Sequence, residues 1–407
     1  MSIAAVVALA SAALAVYVAA LSRRFSLAPG WRDQRWFALA ALTVAGTCAA
    51  RPFELTRAAM PCARSPGGRL VALDVARALG VGAMVFGHTC DALLSTAARA
   101  EPLVGVYWQA RGLTAPLFMM VSGWAVALAV SRSPASGLDV FRARLPRVLL
   151  LLALGYALRF PGWNVQGLLS GDRPTWQHLL AFDALHVIAV GLLGASIVLS
   201  FRPSQLKQGL AFLSLAVLAV VWGMASPTLP LPDTLPALAL AQAVGGNSPF
   251  PIFPWVAYFF FGAAASVLAK DVRVRCAAGL VSVGVYVAAS AYWQGFGSMP
   301  PAHPVLVMFR VGVVLLLLAA FAAVPARVGA LLAPVARSSL GVYAIHVPVV
   351  YGWLTLEGLA QRVGPRLAFL EAALVAAVIL VCVLAAERVM RLAAVRAAAA
   401  ARFGWIR

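Results

Sequence analysis

Charge is scarce in this 407-residue chain: 11% of its residues are Asp, Glu, Lys or Arg, and only 13 are acidic. A soluble domain carries about a quarter charged and about half apolar residues. Here 63% are apolar and the mean hydropathy is +0.91. A compact soluble protein of this size could not bury that much apolar surface, so lipid is the expected solvent. Lysine is almost missing, with Lys207 and Lys270 against 30 arginines. The net charge of +19 would suit nucleic acid in a polar chain, but in one this apolar no nucleic-acid partner is expected. The Arg bias alone is no evidence for phosphate binding.

Cysteine is also sparse. Cys48, Cys62, Cys90, Cys276 and Cys382 are scattered, which gives neither a disulfide framework nor a CxxC spacing. HExxH is absent, so no metal centre is expected. Walker, Rossmann and GxSxG signatures are absent as well, so nothing supports an ATPase or an α/β-hydrolase.

What the chain does have is long apolar runs. Residues 1–21 lack a basic leader region and read as a retained helix. A shorter run follows at 36–50, which either spans or lies in the interface. Ten more apolar segments follow at 70–94, 112–131, 148–160, 180–201, 208–226, 251–269, 277–294, 305–324, 338–356 and 367–387. They are continuous rather than amphipathic, as lipid-facing helices require. The segment at 148–160 is short and must borrow flanking residues or tilt. The expected fold is an all-α polytopic membrane protein, a ten-helix core at 70–387. One or two helices and a linker precede it at 1–69, and a basic tail follows at 388–407.

The positive-inside rule orients this core. With 51–69 in the cytoplasm, the loops on that side and the tail carry 20 Lys and Arg, and the opposite loops carry 6. Both ends of the core then lie in the cytoplasm. A multi-pass protein of a bacterial inner membrane is the expected localisation.

Ionisable side chains within such helices are costly and mark functional positions by default. Asp74, Arg77, Val81, Met84, His88 and Asp91 advance by three and four residues, which keeps them on one helix stripe. Arg77 and His88 lie eleven residues apart, a rise of roughly 16 Å. Asp74 and Arg77 fall near the cytoplasmic end, and His88 and Asp91 near the outer end. The bland alternatives are an intrahelical Asp74–Arg77 pair and a buried, hydrogen-bonded His88. Asp91, one turn from His88, could instead orient and charge-stabilise the imidazole.

Asp183 and His186 repeat the acid–imidazole spacing, and His346 is mid-helix. His178 and His303 fit ordinary loop polarity. Arg310 either snorkels or binds an anion. The cluster Arg142, Arg144, Arg147 with Pro146 reads as a helix start, where free N–H groups and the dipole favour anions. Contact with anionic lipid is its bland reading, and a phosphorylated donor the sharper one.

These residues together resemble the transmembrane acyltransferase superfamily, which includes type-three acyltransferases and heparan-α-glucosaminide N-acetyltransferase-like proteins. Leu73-Asp74-Val-Ala-Arg77 and the ten residues to His88 resemble its LDxxRG opening and Arg-x10-His signature. Pro116 to Trp124, through Ser122-Gly123, is similar to its Pro-x-Phe-Phe-x-x-Ser-Gly-Phe helix. Arg142 to Pro146, Asp183 to His186, Pro254 to Gly262 and Ser339 to Pro348 continue the series in order. Ala78 stands in place of the family's Gly and Trp124 in place of its Phe, and residues 1–69 have no counterpart.

The resemblance implies transfer of an acyl group, often acetyl, from cytoplasmic acyl-CoA to a sugar or lipid-linked acceptor at the outer face, as in envelope polysaccharide modification. Acyl-CoA would be a co-substrate, with no permanently bound cofactor. The essential His maps to His88 and the signature Arg to Arg77. His88, Asp91 and Arg77 form the expected catalytic set, with His88 as general base or transient acyl carrier. Asp74, Arg77, Arg142, Arg144 and Arg147 form the donor-binding set. Ser122, Asp183, His186 and His346 are further candidates for lining the site. The competing readings are a glycan or lipid transporter, with the stripe as its path, and a non-catalytic envelope protein.

Overall fold

The computed structural model of the chain describes residues 64–65, 69–132, 137–225, 234–292 and 302–404. The early apolar runs at 1–21 and 36–50 lie outside these residues. A two-residue antiparallel pairing of β1 (Arg64–Ser65) with β2 (Arg69–Leu70) leads into α1 (Val71–Leu93). There follow α2 (Thr96–Arg99), α3 (Pro102–Arg111), α4 (Thr114–Ser131), α5 (Leu138–Arg159), α6 (Val165–Ser170), α7 (Arg173–Leu180), α8 (Ala184–Ser200) and α9 (Gln205–Ala225). The second half comprises α10 (Leu235–Val244), α11 (Ile252–Leu268), α12 (Val272–Tyr292), α13 (Pro304–Phe321), α14 (Ala326–Arg337), α15 (Ser339–Tyr351), α16 (Leu359–Arg362) and α17 (Phe369–Gly404).

Each of the ten apolar segments coincides with a helix, because a backbone in hydrocarbon must satisfy its own hydrogen bonds. By length and composition, α1, α4, α9, α12, α13 and α17 can each cross a membrane. Three pairs bent at a short break pass the same test together, for up to nine spans if each pair is one: α5 with the segment Gly162–Ser170 (53°), α7 with α8 (54°) and α14 with α15 (52°). The remaining apolar segment is the 17-residue α11. The chain is therefore an all-α polytopic membrane protein.

Two local readings change. The Arg142–Arg147 cluster does not sit at a helix start. Helix α5 begins at Leu138, after Gly137 in a positive-φ conformation (55°), and Pro146 lies inside it. Pro146 removes only one backbone donor, and the Arg and Leu residues around it are good helix formers. The stretches between apolar runs also carry the short helices α2, α3, α6, α7, α10 and α16, each of ten residues or fewer and so too short to register as a membrane-length apolar run.

Helix α1 is the hub, packing against α4, α13, α14, α15 and α17. Fifteen of its 23 residues are buried, Asp74 among them, so the polar stripe faces protein. Around it α4 and α11 approach closely. A Cβ on Gly123 would meet the Phe259 carbonyl, and one on Gly262 would meet the Met120 carbonyl. Reciprocal glycines of this kind let two helix backbones touch, the usual device where no water drives helices together. Trp124, beside Gly123, is buried with the Arg275 guanidinium 5.3 Å from its ring. Arg275 in turn donates to the Ala269 and Lys270 carbonyls at the end of α11 (3.0 and 2.8 Å).

Candidate active site

One cavity of ≈ 790 Å³ runs along the polar stripe of α1. His88, Trp108 and Arg111 line it at one end, and Arg77, Arg144, Arg147 and Arg337 line it at the other. Helix geometry sets that separation: Arg77 lies three turns before His88 on α1. On α5, Ala157 accepts a hydrogen bond from Trp353 (2.8 Å), just past Tyr351 at the His88 end. Arg147 and Arg144 lie ten and thirteen residues earlier, so they fall at the far end. No Asp or Glu among the described residues lines this cavity. Its middle is walled by apolar and aromatic side chains, including Phe118, Ile188 and Trp255.

The His88 end is densely hydrogen-bonded. His88 Nδ1 lies 3.1 Å from the Tyr351 hydroxyl, which lies 3.2 Å from Asp91 Oδ2. Arg111 Nη2 donates to the same carboxylate oxygen at 2.9 Å. Arg99 donates to the backbone carbonyls of Asp91 and Leu94 (2.5 and 3.1 Å), capping the C-terminus of α1 where a cation is favoured. Both guanidinium groups pack on Trp108, at 5.0 Å for Arg99 and 4.8 Å for Arg111. A parallel bridge from Leu94 to Leu367 ties this end of α1 to the approach of α17.

His346 stands against His88 with ring centroids 5.2 Å apart. Its Nδ1 lies 2.7 Å from the Val342 carbonyl, a pure acceptor, so Nδ1 carries the proton. Its Nε2 is buried without a hydrogen-bond partner.

The basic end is different in kind. Arg144 Nε is buried without a hydrogen-bond partner. Arg337 lines the cavity where α14 breaks into α15, and Ser338 at that break donates to Glu387 of α17 (2.9 Å). Arg391 forms an ion pair with Glu387, so that carboxylate is engaged behind the wall.

The sequence candidates divide accordingly. Arg77, His88, Ser122, Arg144 and Arg147 line the cavity. Asp91 stands directly behind His88, held by Tyr351 and Arg111. His346 adjoins His88 from within the protein. Asp74 is buried outside the cavity wall, and Arg142 is exposed, 3.9 Å from Asp139.

Asp183 and His186 form the N-terminal cap of α8. The Asp183 carboxylate accepts from the Leu185 and His186 amides and bonds His186 Nδ1 at 2.9 Å. They lie behind the wall, reached through Tyr343, which lines the cavity and donates to Asp183 (3.4 Å). Tyr351, Arg111, Trp108 and Arg337 escaped the sequence reading. Tyr351 comes from 263 residues away, and no local pattern announces it. Arg111 and Trp108 gave only the weak signal of a lone Arg near an aromatic in an outer loop.

An acyltransferase-domain family model, that of the acyltransferase 3 family, matches residues 70–387. The chain belongs to this family. The match starts at the first residue of the ten-segment core and ends inside α17, and it carries the resemblance read from the stripe. No curated protein and no solved structure matches the chain. This member of the acyltransferase 3 family is thus an integral, multi-pass membrane protein with an acyltransferase domain.

Proposed function

We propose that the protein transfers an acyl group, acetyl in the simplest case, from cytoplasmic acyl-CoA to a sugar or lipid-linked acceptor at the outer face of a bacterial inner membrane. The observation that carries this reading is one continuous cavity joining a four-arginine end to His88, with no Asp or Glu among the described residues in its wall. Donor phosphates suit Arg77, Arg144, Arg147 and Arg337, because guanidinium groups bind phosphate bidentately and stay charged when partly buried. The excess of Lys and Arg on the loops at that end supports its facing the cytoplasm. The apolar middle suits the thin pantetheine arm, whose thioester then reaches the imidazole.

At the far end His88 acts as general base. Its Nε2 takes the proton of the acceptor hydroxyl or amine as that atom attacks the thioester carbonyl. The tetrahedral intermediate collapses, the C–S bond breaks, and the proton on Nε2 passes to the departing CoA thiolate. An imidazole suits both transfers because it gains and loses a proton near neutral pH.

The test uses purified protein in proteoliposomes with labelled acetyl-CoA and envelope extract. His88→Ala is expected to lower transfer by about 10²–10⁴-fold, the usual contribution of a general base, while acetyl-CoA still binds. Wild-type transfer by this variant would end the proposal.

A further inference from the structure

The hydroxyl of Tyr351 is bracketed by two groups of α1. His88 Nδ1 lies 3.1 Å away and Asp91 Oδ2 lies 3.2 Å away. The third neighbour is the His88 backbone carbonyl at 3.4 Å. Tyrosine has one proton to give. Asp91 Oδ2 already accepts from Arg111 at 2.9 Å, and a carbonyl oxygen only accepts. If Tyr351 donated to Nδ1, its oxygen lone pairs would face the carboxylate oxygen with nothing between them. If Nδ1–H donates to Tyr351 and Tyr351 donates to Asp91, both of the shorter contacts pair a proton with a lone pair. The His88 carbonyl at 3.4 Å receives no proton in either arrangement, so the charged carboxylate decides, and the second arrangement is the one that gives it a proton from Tyr351.

His346, the other ring against His88, does not compete for this proton. Its Nδ1–H is directed to Val342, so its neutral ring has no second N–H to offer.

We infer that Tyr351 is a positioning residue that holds His88 in the Nδ1–H tautomer and relays the Asp91 charge to it, leaving Nε2 as the base. The inference rests on the acyl-transfer reading above and adds two residues to it. When Nε2 accepts a proton, the ring becomes a cation whose Nδ1–H is still bonded to Tyr351. No proton leaves the tyrosine, and the charge is balanced by a carboxylate two hydrogen bonds away. Arg111 fixes that carboxylate in place, and Arg99 fixes the helix end that carries it.

The experiment pairs a spectrum with kinetics on the full chain in lipid nanodiscs. The protein is labelled with ¹⁵N-histidine, and the His88 signals are assigned by their loss in His88→Ala. At neutral pH the wild type is expected to show Nδ1 protonated and Nε2 bare. Asp91→Asn is expected to keep that tautomer and lower kcat, because the amide oxygen still accepts from Arg111 and Tyr351 while the charge that balances the imidazolium is lost. Tyr351→Phe keeps the ring and removes only the hydroxyl. It is expected to lower kcat for acetyl transfer from acetyl-CoA about ten- to a hundredfold, the worth of one hydrogen bond to a charged group. KM for acetyl-CoA is expected to stay within about twofold, because the loss falls on the transition state. A wild-type His88 protonated on Nε2, or an unchanged kcat in Tyr351→Phe, overturns the inference. An active His88→Ala variant would instead remove the base itself, whatever the tautomer.

Discussion

The two ends of the cavity share helix α1 and both carry arginine, yet they are arranged oppositely. At the His88 end each charged group touches another protein group: Asp91 meets Arg111 and Tyr351, while Arg99 caps α1. At the other end four arginines line the wall, no Asp or Glu among the described residues lines it with them, and Arg144 Nε is buried without a hydrogen-bond partner. A satisfied network fixes side chains in one geometry, which suits chemistry. An excess of one charge is a standing demand for a counter-charge, which suits binding. Under the proposed acyl transfer, one end acts and the other holds the donor.

Substitutions at the two ends should therefore separate in kind as well as size. The largest effect is expected for His88→Ala, a loss of about 10²–10⁴-fold in kcat with the donor still bound. Arg144→Gln is expected to raise KM for acetyl-CoA about tenfold or more and to leave kcat nearly unchanged, since it removes a charged contact made equally in ground and transition states. Initial rates over a range of acetyl-CoA concentrations would separate the two parameters.

Salt supplies a smaller handle. Raising ionic strength from about 0.05 to 0.3 M should raise that KM severalfold in the wild type and less in Arg144→Gln, because screening acts on exposed charge. The smallest effect is expected for Arg142→Ala. Its side chain is exposed and lies outside the cavity wall, so both parameters should stay within about twofold. A KM rise in Arg142→Ala equal to that in Arg144→Gln would dissolve the distinction between the two ends.

Much of this was legible in the sequence. The 3–4 spacing from Asp74 to Asp91 marked α1, and Arg77 and His88 do line one cavity. The arginine cluster was seen without its geometry. Read as a helix start at Pro146, Arg142, Arg144 and Arg147 were equivalent. Inside a helix they are not, because Arg144 and Arg147 share a face while Arg142 points about 200° away from Arg144.

The two acid–imidazole pairs were harder to read. Asp183 and His186 bond directly because Asp183 is an extended N-cap residue whose carboxylate turns back over the first turn. His88 and Asp91 are both helical, and the Tyr351 hydroxyl stands between them. Identical spacing gave two outcomes because backbone conformation, not residue type, decides where a short carboxylate reaches. Tyr351, Arg111 and Arg337 depend on contacts between distant helices, which no local period encodes.

The division of the cavity is best tested by a cryo-EM structure of the protein in nanodiscs with CoA bound. The phosphates are expected among Arg77, Arg144, Arg147 and Arg337, and the thiol at the His88 end of the cavity. Phosphates seated beside Trp108 and Arg111, or CoA bound outside this cavity, would contradict the assignment of one end to binding and the other to chemistry.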